Sequence, residues 1–221
     1  MSTMLEVYQR LFDHYGPQHW WPAQSPFEVM VGALLTQNTN WKNVESAISN
    51  LREAGVLEPH ALARLPVDEL AELIKPAGYF NLKAKRLHHL LRLLVDEFDG
   101  SIEAMFDTPP STLREQLLAV NGIGPETADS ILLYAGKVPT FVVDTYTHRM
   151  LARHGWIDFE AGYDEIKDHF ESELERDAAL YNEFHGLIVR VGSEHCRKTP
   201  RCEGCPLAEL LPSCGPLEPM G

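Results

Sequence analysis

Along most of the chain the apolar positions recur every three to four residues, the period of a helix with one buried face. In "MLEVYQRLFDHY", Leu5, Tyr8, Leu11, Phe12 and Tyr15 fall on one stripe. "SPFEVMVGALLTQ" opens with Ser25 as a cap, Pro26 at the first helical position and Glu28 three residues after the cap. "VESAISNLREAG" ends at Gly55, a residue at which helices commonly stop. "PVDELAELIKPAG", "NLKAKRLHHLLRLLVDEFDG", "PPSTLREQLLAV" and "PETADSILLYAG" follow, punctuated by Gly or Pro. "VDTYTHRMLARHG", "YDEIKDHFESELE" and "AALYNEFHGLIVRVG" complete the series. Only "KVPTFVV" has β-type composition, and it is too short and isolated to seed a sheet. The pattern predicts an all-α protein of helices roughly 10–15 residues long.

The bulk numbers narrow the class. At 221 residues with 44% hydrophobic content the chain can bury a sizeable core, as one domain or two modest ones. No apolar run approaches the ~20 residues of a membrane span, and the polar N-terminus does not read as a targeting peptide. A cytoplasmic, nucleoid-associated protein is the expectation. The net charge of −13 argues against a protein that coats nucleic acid nonspecifically. Basic residues nevertheless gather at Lys83, Lys85, Arg86, His88, His89 and Arg92, and again at Arg197, Lys198 and Arg201. On charge alone these read equally as solvated faces.

Two stretches carry candidate chemistry. In "AVNGIGPETADS" one helix turns through Asn121-Gly122-Ile123-Gly124 and another starts at Pro125. Glycines at 122 and 124 permit positive φ and leave backbone N–H groups bare, so the corner is able to hold an anion such as a DNA phosphate. It also reads as a plain helix–helix corner with Ile123 as its plug. In "VPTFVVDTYTHRML", Asp144 precedes a helix and is a natural N-cap. A carboxylate fixed there also suits a reaction that develops an oxocarbenium ion.

"GIGPETADSILLYA", "VVDTYTHR", "FHGLIVRVGSEHC" and the four-cysteine tail together resemble the endonuclease III superfamily of DNA glycosylases, from about Trp20 to Cys214. The resemblance implies two helical domains with a DNA-binding cleft between them. One spans residues 22–134 and holds a helix–hairpin–helix; the other is discontinuous, residues 1–21 and 135–221. It makes Asp144 the catalytic residue and Gly122, Ile123 and Gly124 the phosphate-gripping hairpin. Bifunctional members carry a lysine nucleophile where this chain has Glu126; a carboxylate cannot form an imine, so strand cleavage is expected to be absent or weak. "HWWPAQSPFEVMVGALLTQNTNWKNV" and "GYFNLKAKRL" are similar to the 3-methyladenine glycosylase branch. That likeness puts Trp20, Trp21 and Trp41 in a base pocket, where a cationic alkylated purine over an indole gains ~0.5–2 kcal/mol. It makes Gln37 and Tyr79 residues that fill the gap left by an extruded nucleotide, although core or interdomain packing explains all five side chains as well.

All four cysteines lie in the tail: Cys196, Cys202, Cys205 and Cys214. Clustered thiols without a secretory leader point to a metal or cluster site. The spacing resembles the superfamily's [4Fe–4S] loop, with zinc as the alternative, and Arg197 and Lys198 beside it suit a DNA-backbone contact, as do Lys83 and Lys85. The sequence therefore implies a monomeric enzyme acting on double-stranded DNA with a damaged base. A monofunctional glycosylase for alkylated purines such as 3-methyladenine comes first. An endonuclease III-like enzyme for oxidised pyrimidines, or a cluster protein that binds damaged DNA without turnover, are the alternatives.

Overall fold

The periodic stretches form helices. The computed structural model describes residues 3–219, and its α-helices are α1 (Thr3–Tyr15), α2 (Pro26–Leu35), α3 (Trp41–Glu53), α4 (Pro59–Arg64), α5 (Val67–Leu73), α6 (Phe80–Phe98), α7 (Ile102–Phe106), α8 (Pro110–Ala119), α9 (Pro125–Ser130), α10 (Thr145–Arg153), α11 (Tyr163–Glu173) and α12 (Ala178–Glu194). A π-helical turn, Ile131–Ala135, continues α9. No strand occurs among the described residues, and the apolar run before Asp144 is an extended lead-in to α10 with Phe141, Val142 and Val143 buried. Among the same residues no helix is long and apolar enough to cross a membrane.

The chain divides into two compact units, one made of the chain up to Pro22 and from Pro139 onward, the other of Ala23–Val138. In the second unit α2 is the central rod. Phe27 to Leu35 are all buried, the signature of a helix enclosed on every side. Ser25 accepts the Glu28 amide at 3.2 Å as its cap, and the buried Glu28 carboxylate pairs with Arg52 at 2.9 Å. α3, α6, α9 and the π turn pack around this rod.

In the first unit α12 packs on α1 and α10. Its core is aromatic: Phe141 stacks on Phe170 at 3.9 Å, and both meet Phe184 edge-on. The face that α1 buries is Met4, Val7 and Leu11, whereas Leu5 is 39% exposed. The stripe read from the larger side chains is thus turned by about one position. Tyr8 and Phe12 stack on each other at the edge of that face, half-buried, and Tyr8 meets Phe184 at 5.4 Å.

Candidate active site

The corner at Asn121–Gly124 is built by bonds from three directions. Ile123 donates its amide to Val120 O at 3.0 Å and is buried between α8 and α9. The two helices are clamped by a two-pronged pair, with Arg114 Nε and Nη2 on the two oxygens of fully buried Asp129 at 2.8 and 3.1 Å. Gly122 takes φ +95, but Gly124 stays at φ −97 and caps α9, so only the first glycine uses the left-handed region. Gly122 is required for a second reason, because a Cβ there would collide with the Arg86 side chain lying across it.

Gln37, expected as a gap-filling residue, is tied into this corner. Its Nε2 donates to Gly122 O and Thr127 Oγ1, both at 3.0 Å, while Oε1 accepts Arg86 Nη1 at 2.6 Å. Arg86 and Gln37 thereby fix the shape of the hairpin. His89 adds a contact to Asn121 O at 3.0 Å. Sequence spacing singled out neither Arg86 nor Thr127 as a site residue.

Lys83 is not on a DNA-facing surface. It is 2% exposed, and its Nζ donates to Leu35 O and Ala77 O at 2.8 Å each, closing the ends of α2 and the Lys75–Ala77 turn. Its position aligns with buried Leu87, Leu90 and Leu94 on the inner face of α6, which decides its direction. Burial, with repulsion from Arg86 added, lowers its pKa to about 8, so the ammonium remains charged at neutral pH to serve both carbonyls. Lys85 and Glu126 are exposed, and Trp41 is half-buried at the start of α3. Tyr79 is 69% exposed and held at φ +45 just before α6, and Leu82 one turn on is 48% exposed. A left-handed tyrosine costs on the order of 1–3 kcal/mol and needs a surrounding structure that enforces it.

In the other unit Asp144 caps α10. Its Oδ1 accepts the Thr147 amide at 2.8 Å and the Thr147 hydroxyl at 2.9 Å. Its Oδ2 faces His185 Nε2 across 3.8 Å, beyond a direct hydrogen bond. His185 comes from α12, is buried, and meets the Trp20 ring at 6.1 Å and 62°. Trp20 is in turn edge-on to Trp21 at 5.6 Å, and both indoles are half-buried. Gly186 makes room, since a Cβ there would stand 2.9 Å from Trp20 Cβ. The fold thus gathers Asp144, Trp20 and Trp21 and adds His185, which spacing did not reveal; its signal was a lone histidine inside the apolar line of α12. Desolvation lowers the His185 pKa, opposed by the Asp144 charge.

Residues 31–176 match the model of the HhH-GPD superfamily of base excision DNA repair proteins. The chain belongs to this superfamily. A Methanocaldococcus jannaschii protein named as a candidate DNA repair glycosylase is 50% identical over 211 residues, 95% of this chain and 96% of the relative. Endonuclease III of Thermotoga maritima is 32% identical over 181 residues, 81% of this chain and 79% of the relative. Among solved structures, the H. pylori 3-methyladenine DNA glycosylase MagIII bound to 1,N6-ethenoadenine superposes with a TM-score of 0.77 at 32% identity, covering 86% of this chain and 97% of that one. The HhH-GPD protein is accordingly a base-excision DNA glycosylase in class.

The thiols of this HhH-GPD protein stand at the far end of α10. Cys196, Cys202 and Cys205 line one small pocket together with Arg153, His154 and His195. Cys214 is exposed and outside that lining, and no group of three or more metal-binding side chains is drawn together among the described residues. α10 holds the loop through its arginines. Arg149 Nε donates to Cys196 O at 2.6 Å, and buried Arg153 reaches Cys196 Sγ at 3.5 Å, Arg197 O at 2.6 Å and Lys198 O at 2.9 Å. The side chains of Arg197 and Lys198 are exposed. Burial raises the Cys202 and Cys205 pKa values, with the neighbouring cysteines adding to it.

Proposed function

We propose that this protein is a monofunctional DNA glycosylase that hydrolyses the N-glycosidic bond of alkylated purines, 3-methyladenine foremost, in double-stranded DNA. The observation that carries the reading is the Asp144 carboxylate. One oxygen is locked by Thr147 and the helix start, and the other faces away from those donors. A carboxylate held this way stabilises the positive charge that grows on the sugar as the base departs. Water then adds at C1′, its proton passes to solvent or the carboxylate, and an abasic site remains. Trp20 and Trp21 lie on the Asp144 side of the unit through His185, where indole faces suit a cationic base. Trp41 is assigned to the same pocket by resemblance alone.

For the DNA, the corner Gly122–Ile123–Gly124 is the phosphate grip through the amides of its two glycines, the Ile123 amide being spent on Val120 O and its side chain serving as the plug, with Lys85, Arg86, Arg197 and Lys198 as further backbone contacts. Tyr79, strained and exposed, is the better candidate to enter the gap left by the flipped nucleotide. Gln37 reaches that gap only by giving up its three bonds to the hairpin and Arg86. Glu126 in place of a lysine supports glycosylase action without strand cleavage. The likeness to MagIII supports the alkylated-purine substrate.

The cysteine set fits a thiolate-bound centre in its chemistry, with Arg153 placed against one sulfur. Cys196, Cys202, Cys205 and Cys214 would hold a [4Fe–4S] cluster, which supplies a fixed scaffold for the loop and no redox step. Iron and acid-labile sulfide in the purified protein support this assignment, and zinc in their place overturns it.

A second reading, an endonuclease III-like enzyme for oxidised pyrimidines, is favoured by the Thermotoga maritima relative. Incubation with methylated duplex and, separately, with oxidised-pyrimidine duplex decides between them. Free alkylated purine with an intact strand supports the proposal. Strand incision and a borohydride-trapped adduct support the second reading. Tight binding with no base released from either duplex reduces the protein to a damage-binding role.

A further inference from the structure

The buried histidine beside Asp144 has a role to fill in the proposed reaction. We propose that His185 is a positioning residue for Asp144: neutral, it keeps the Oδ2 of the carboxylate turned into the site and free to face the sugar cation; protonated, it closes an ion pair on that oxygen and stops the reaction. The inference rests on the glycosylase reading and extends it to how the carboxylate is held.

The geometry limits what else His185 can do. Oδ1 is occupied by Thr147 Nα–H and Oγ1–H, so the free electron density of Asp144 is on Oδ2, the atom that His185 Nε2 faces at 3.8 Å. The imidazole cannot swing away, because Trp20 stands against its ring and Gly186 admits Trp20 only while residue 186 has no side chain. From α10 the group that bears on His185 is Asp144. α1 brings the phenol of Tyr8, which packs on neighbouring Phe184, and the segment before Pro22 brings Trp20. On α12 itself Glu183 is engaged by the Gln18 amide. Burial outweighs the Asp144 charge and keeps the ring neutral near pH 7, which leaves the negative charge on Oδ2 in place. A proton taken from solvent converts the pair to imidazolium–carboxylate and cancels the field that the reaction uses.

The full-length protein tests this with two readouts. The first is the NMR titration of ¹³C/¹⁵N-labelled histidines in wild type and Asp144→Asn. The His185 midpoint is expected below the ordinary histidine value and lower still in Asp144→Asn, where the raising charge is gone. A midpoint indifferent to Asp144→Asn overturns the proposal. The second is single-turnover base release against pH for wild type and His185→Gln on methylated duplex. Wild type is expected to lose activity on an acid limb that lies below the ordinary histidine value and tracks the His185 midpoint, and His185→Gln to carry that limb to lower pH with a reduced plateau. An unchanged acid limb in a folded His185→Gln overturns it as well. If wild type releases no base from any duplex, the glycosylase reading fails on its own, and the titration of wild type against Asp144→Asn still decides whether the two groups are coupled.

Discussion

The hairpin and the aspartate differ in how completely their polar groups are used. Around Gly122 the bonding is nearly closed. Gln37 spends both ends of its amide on Gly122 O, Thr127 and Arg86, and Arg114 takes both oxygens of Asp129. Around Asp144 it is half closed, with Oδ1 doubly bonded and Oδ2 facing a histidine beyond hydrogen-bond range. A closed network makes a rigid surface whose exposed groups are the backbone amides that a phosphate needs. A half-closed one keeps an anion available for charge that appears only during reaction. In the proposed function the first arrangement binds and the second reacts.

The largest expected effect comes from filling the open end. Asp144→Asn keeps an acceptor for Thr147 but removes the charge, and base release is expected to fall on the order of 10²–10³-fold, measured under single-turnover conditions. At the hairpin, Gly122→Ala combines a positive φ with a collision against Arg86. It is expected to weaken duplex binding well beyond Gly124→Ala, whose Cβ meets open space at an ordinary φ; filter binding or fluorescence anisotropy reads the difference. Gln37→Ala leaves Arg86 and Gly122 O without their partner and is expected to cost about 1–3 kcal/mol of stability in denaturant titration.

A smaller effect follows from pH. His185, His154 and His88 have pKa values lowered by burial, so the unfolded chain binds protons first as pH falls. Their contribution to stability is present above the unfolded value near 6.5 and drains away below it. The melting temperature is expected to drop between pH 7 and 5, each kcal/mol lost appearing as about 2–4 °C. The smallest effect separates two lysines of one helix. Lys85→Gln is expected to reduce the slope of log affinity against log salt by about one, whereas Lys83→Met leaves the slope unchanged and lowers stability instead.

How much of this was readable beforehand depends on the range of the interaction. Ser25 and Asp144 as caps, Pro26 and Pro125 as helix starts and Ile123 as a plug follow from neighbours within four residues, and the chain adopts them. The direction of Lys83 was within reach, because it lies four residues before Leu87 and seven before Leu90 on a buried line; grouping it with its basic neighbours by charge ignored that register. The stripe of α1 went astray for a similar reason, since large aromatics flank the buried line instead of forming it. Gln37 and His185 were beyond local reading. Their partners lie 41 to 90 residues away in sequence, so only the folded chain shows that one is a brace and the other a neighbour of the aspartate.

The contrast between a binding surface and a reacting group is tested most directly by measuring both in one protein. Purified Asp144→Asn is titrated onto methylated duplex and, in the same samples, assayed for released base and strand integrity beside wild type. The account predicts affinity close to wild type, intact strands in both, free alkylated purine from wild type and almost none from the variant. Wild-type release from Asp144→Asn would contradict it.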